Sequence, residues 1–151
     1  MERLISLAKE AKINENAQIK DQHSLIINAS IETVWKKLTD VANWPSWHPE
    51  IEKIILEEEV KEGTQYIKVQ SGQKIKATVR LFDTNKAFAT TNQTSLTKGV
   101  NVWELEENDG KTIITYSSSQ QGLLTVFVMN HEKIYHEVTS WLENFQNSLE
   151  D

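Results

Sequence analysis

From about Glu50 to Gln121 the chain reads as strand after strand, with apolar and polar residues in alternation. Ile75, Ala77, Val79 and Leu81 alternate with Lys74, Lys76, Thr78 and Arg80, which gives that strand one apolar and one polar face. Gly63, Gly72, Gly99 and Gly110 punctuate the run. Asn108-Asp109-Gly110, between Trp103–Leu105 and Ile113–Ile114, has the chemistry of a tight hairpin, because Asn, Asp and Gly tolerate positive φ. Neighbouring strands are therefore antiparallel. One long helix follows, about Leu124 to Leu149. In it Val128, His131, Tyr135, Val138, Leu142, Phe145 and Leu149 recur at alternating three and four spacings and predict one face turned to the sheet. Strands without helices between them cannot make a doubly wound parallel sheet, so the order predicts an α+β fold. A curved sheet gripping one helix leaves a concave space, the kind of place where small ligands bind.

The first half of the chain supplies the smaller elements. Leu4, Ile5, Ala8 and Ala11 share one side of a short helix within residues 1–13, an appendage packed on the body. A polar stretch, Asn14 to Gln22, leads into a strand around His23 to Ala29. Ser30 can cap the next helix, Glu32 suits its first turn, and Ile31, Val34, Trp35 and Leu38 form one buried stripe. In Trp44-Pro45-Ser46-Trp47-His48-Pro49 two prolines bar a long helix and two tryptophans demand burial, which predicts a short second helix or turn folded onto the body.

Composition removes several classes of function. With 151 residues the chain fits one domain, 1–151, and can bury a core unaided. No Cys is present, which rules out thiolate metal sites, disulfides and thiol nucleophiles. A formal net charge of −6 argues against nucleic acid and anionic membranes as partners. The longest apolar run, Leu123 to Met129, is too short to span a bilayer, and Met1 to Ile13 mixes acids and bases and does not read as a targeting segment, so a cytoplasmic protein without stable membrane insertion is expected. Homo-oligomerisation is left open. No phosphate loop, dinucleotide fingerprint or Gly-x-Ser-x-Gly elbow occurs, and no cofactor is expected.

Ile26-Ile27-Asn28-Ala29, Val34-Trp35, Leu38-Thr39-Asp40 and Trp44-Pro45-x-Trp47-x-Pro49 resemble the opening of the START-like (SRPBCC) polyketide cyclase/dehydrase superfamily. Glu62-Gly63-Thr64, Val102-Trp103-Glu104-Leu105, Gly110-Lys111-Thr112 and Gly122-Leu123-Leu124 are similar to its later landmarks, so the resemblance covers about residues 22–149. It implies a helix-grip fold with two short helices after the first strand, and a cavity for lipids, polyketides or other small hydrophobic molecules. In the branch this chain most resembles, a His stands in place of Asn101, a Trp in place of Thr90 and an acid in place of Ser118. The replacements are small and neutral, so no inherited catalytic set carries over.

The expected ligand-contacting residues are Trp47, Val79, Phe88, Thr90, Asn101, Trp103, Tyr116, Ser118, Val128, His131 and Tyr135. Asn101 and Trp103 share a strand face by the period of two, as do Ile114, Tyr116, Ser118 and Gln120. If the protein is an enzyme of the cyclase or dehydratase kind, His131 moves a proton and Tyr116 holds a developing oxyanion, and the two must converge. His131-Glu132 with His136 is not a metal helix: the histidines are five residues apart, about 140° round the helix, where a zinc pair needs four. His48 is read as a local hydrogen-bonding group, and the acidic runs Glu57–Glu59 and Glu106-Glu107 as solvated. A third role, as a protein-interaction or chaperone-activator module, predicts a closed interior with an exposed apolar patch.

Overall fold

The computed structural model describes residues 1–122 and 130–150. Its elements are α1 (Glu2–Lys9), β1 (Ile19–Ile27), α2 (Ile31–Thr39), a 3₁₀ turn (Val41–Ser46), β2 (Ile51–Ile55), β3 (Gln65–Gln70), β4 (Gln73–Asp83), β5 (Ala87–Gln93), β6 (Lys98–Asn108), β7 (Lys111–Gln121) and α3 (His131–Glu150). The seven strands form one antiparallel sheet in the order β1-β7-β6-β5-β4-β3-β2. This is the expected α+β helix-grip architecture, with α3 held against the concave face.

Local chemistry accounts for the boundaries. Ser30 Oγ accepts the Thr33 N–H at 3.2 Å and starts α2, which buries Val34, Trp35 and Leu38. Trp44, within the 3₁₀ turn, is fully buried and donates its indole N–H to the Leu38 carbonyl at 3.0 Å, locking the turn to the end of α2. Asp109 and Gly110 both take positive φ, 52° and 79°, and close the β6–β7 hairpin with Asn108 opposite Lys111. β1 starts earlier than the expected His23: Ile19 already pairs with Gln120, so the end of the polar lead-in, from Ile19 to Gln22, is strand. The long β7 supplies the ladder that local propensity did not advertise.

Both faces of the sheet are covered. On the convex side α1 lays Leu4 and Ala8 over Ala89, Val100 and Val102. On the concave side α2, the 3₁₀ turn and α3 enclose the main core. The buried face of α3 is Ile134, Val138, Trp141, Leu142 and Phe145. That corrects the expected stripe. Tyr135 is 55 % exposed, lying about 100° round from Ile134. His131 opens the first turn of the helix and is exposed. The large apolar groups Ile134 and Trp141 decide which way the helix faces. Residues 124–128, where the helix was expected to begin, lie outside the described residues, and so does Val128.

Candidate functional site

The sheet register sorts the concave face into rows. Phe88, Trp103 and Tyr116 are cross-strand neighbours on β5, β6 and β7. Two residues along each strand, on the same face, come Thr90, Asn101 and Ser118, and beyond them Asn92, Gly99 and Gln120. A step of two residues is about 7 Å, so the surface changes from aromatic to polar over one side-chain spacing.

The aromatic row is filled. Trp103 stacks on Tyr116 with ring centroids 4.7 Å apart, Trp141 of α3 stacks on Phe145 at 4.9 Å, and Trp44 packs edge-on to both Trp103 and Trp141. Trp47, half-buried, closes this cluster against Trp141 and Phe145. Beside the polar rows a cavity of about 660 Å³ remains between the sheet and α3. Asn101, Tyr116, Ser118 and Gln120 form one side of it, Lys68, Gln70 and Ile75 another, and His136 and Glu137 reach in from α3.

Its polar groups are partly matched to one another. Ser118 Oγ donates to Asn101 Oδ1 at 2.6 Å. Burial, reinforced by Glu137, holds the Tyr116 hydroxyl well above its ordinary value, so it stays protonated. Gln70 Nε2 donates to Glu137 Oε2 at 2.6 Å. At the mouth, His136 Nε2 meets Glu50 Oε1 at 2.6 Å, and this contact raises the imidazole pKa. His48 is fully buried, and burial lowers its pKa. Neither of its ring nitrogens has a hydrogen-bond partner among the described residues, contrary to the local bonding expected of it.

The chain belongs to the polyketide cyclase/dehydrase family. The family described as polyketide cyclase/dehydrase and lipid transport matches residues 18–145. The fold recurs in solved structures. A START superfamily protein from Mycobacterium smegmatis has a TM-score of 0.73 at 16 % identity, over 87 % of this chain and 97 % of that one. XoxI from Bacillus cereus has a TM-score of 0.72 at 17 % identity, over 89 % and 97 %. A hypothetical protein of Helicobacter pylori has a TM-score of 0.71 at 16 % identity, over 87 % and 86 %. At such identities the likeness is one of fold. Among curated proteins, none matches the sequence.

Within this START-like frame the expected contact residues part company. Asn101, Tyr116 and Ser118 line the cavity. Val79, Phe88 and Trp103 are buried in the packed part of the same concave face, and Thr90, in the polar row, is buried without lining the cavity. His131 and Tyr135 are exposed, and neither is among the cavity-lining residues. His131 and Tyr116 are thus not brought together as a proton-transfer pair. Sequence reasoning missed Lys68, Gln70, Glu137 and His136. Lys68 and Gln70 sit in Ile67-Lys68-Val69-Gln70, where the apolar alternation points Ile67 and Val69 inward; the structure turns Tyr66, Lys68 and Gln70 inward instead. Tyr66, buried against Trp44, sets that register. Among the described residues no cluster of His, Asp and Glu could hold a metal ion, and no helix is long and apolar enough to cross a membrane.

Proposed function

We propose that this family member is a binding protein that encloses one small molecule, largely apolar with a polar end, between the sheet and α3. The cavity of about 660 Å³ carries this reading, since small-molecule sites are typically concave spaces of roughly 300–1,000 Å³. The family's description, which includes lipid transport, agrees with a hydrophobic body for the ligand. The cavity walls add the polar end: Asn101, Ser118, Lys68 and Gln70 all stand on strands, where a rigid sheet holds their positions.

A role resting on catalysis finds no converging acid and base at His131 and Tyr116. A role resting on surface docking predicts a closed interior, whereas this interior holds a cavity. Native mass spectrometry of protein purified from its own host, followed by organic extraction, tests the binding reading. The expected result is a stoichiometric small molecule lost on extraction. An empty protein that a panel of amphipathic compounds also fails to stabilise would overturn it.

A further inference from the structure

The corner of the cavity nearest β3 holds a charge that nothing in the fold neutralises at contact distance. Lys68 is only 5 % exposed, yet it lines the cavity. Among the described residues its ammonium makes no ion pair and no hydrogen bond: the ion pairs present are Lys20–Glu15, His23–Asp21 and His136–Glu50. Glu137 is the carboxylate it feels across the cavity, but that carboxylate is bound by Gln70 Nε2. Gln70 Oε1, in the same wall, is itself buried without a partner.

An ammonium removed from water without a counter-ion is among the costliest groups a fold can carry. Proteins keep such groups where a ligand supplies the missing partner. Lys68 is an ammonium with three N–H donors on a flexible stem, suited to an anionic oxygen acceptor. Of the basic groups at the mouth, His136 is already held by Glu50.

We propose that Lys68 is the anchor for a carboxylate, so that the molecule in this cavity is an amphipathic carboxylic acid with its head at β3 and its body along Ile75 and Tyr116. The inference rests on the ligand-binding reading above and names the class of ligand. It assigns Lys68 an unusual energetic signature: the residue opposes stability in the empty protein and favours binding in the occupied one. The lowering of its pKa by burial is consistent with that conflict.

The test compares matched probes on the delipidated wild-type protein by calorimetry: octanoate, decanoate and dodecanoate against octanol, decanol and dodecanol. Acids binding at least about tenfold more tightly than the alcohols, with that preference lost in Lys68→Met, is the expected outcome; tenfold corresponds to about 1.4 kcal/mol. Ligand-free Lys68→Met should also melt about 3 °C higher than wild type. A lysine with a purely structural role predicts the reverse shift. Equal binding of acids and alcohols overturns the carboxylate assignment while leaving the cavity's binding role intact. Binding of neither series, with nothing extracted from the native protein, overturns both. The wild-type comparison stands whether or not the variant folds.

Discussion

The concave face has two halves that share the same strands and differ in what they do with space. Toward the β6–β7 hairpin, Phe88, Trp103 and Tyr116 meet Trp44, Trp141 and Phe145, and ring packs against ring. One side-chain row further along, Thr90, Asn101 and Ser118 are too short to reach α3, and a cavity opens. The difference teaches that a helix-grip domain need not be hollow throughout. Large rings convert one half into core and so brace the helix, while small polar groups keep the other half open. Stability and binding are therefore assigned to adjacent rows of one sheet.

The sharpest way to break that division is to hollow out the aromatic half. Trp103→Ala or Trp141→Ala should each cost about 3–5 kcal/mol, because both side chains are fully buried and the rigid strands cannot collapse into the void. Urea denaturation checks this, and a loss below about 1 kcal/mol would mean the aromatic half is not the main brace. The matching change in the polar half should be gentler. Asn101→Ala leaves the Ser118 hydroxyl without its acceptor and should cost about 1–2 kcal/mol. It should also weaken whatever the native extraction identifies. A cost equal to that of Trp103→Ala would erase the distinction between the halves.

Two histidines near the cavity sharpen the comparison through pH, with opposite signs. His48 has a pKa lowered below 6.5 by burial, so the unfolded chain binds more protons than the native one between that lowered value and 6.5. Its contribution is constant above pH 6.5 and turns against the fold as pH falls through the window. His136 has a pKa raised above 6.5 by Glu50, so its contribution is fully present below 6.5 and is lost as pH rises through the raised value. The buried group should dominate. Stability measured from pH 6.5 down to about 5, above the carboxylate range, should fall in wild type and flatten in His48→Gln. The smallest effect belongs to Glu50→Gln, less than about 1 kcal/mol because the pair is largely exposed. Its clearest readout is the NMR titration of His136, which should move back toward 6.5.

Much of the fold was legible in the chain because its signals are local and repeated. The Ser30 cap, the Trp44-Pro45 turn and the Asn108-Asp109-Gly110 hairpin each depend on neighbours a few residues away, and each formed where its chemistry placed it. The candidate site was legible only in part. Asn101, Tyr116 and Ser118 could be read from the period of two, because the bulky Trp103 fixes which face of β6 is inward. Lys68 could not. A lysine between Ile67 and Val69 has every local reason to point at solvent, and only the burial of Tyr66 against Trp44 overrides it. For α3, period gave a helix, but its rotation was decided by Ile134 and Trp141 finding the aromatic core, which left His131 and Tyr135 outside.

By itself, then, the order of residues determined the α+β class, the antiparallel pairing and the family, since these rest on periodicity, turn chemistry and short motifs. The tertiary structure alone decided that a buried ammonium faces Glu137 across an open space and that a filled aromatic row lies beside it. Such facts depend on strand faces and helix rotation, which are fixed by packing between residues far apart in the chain.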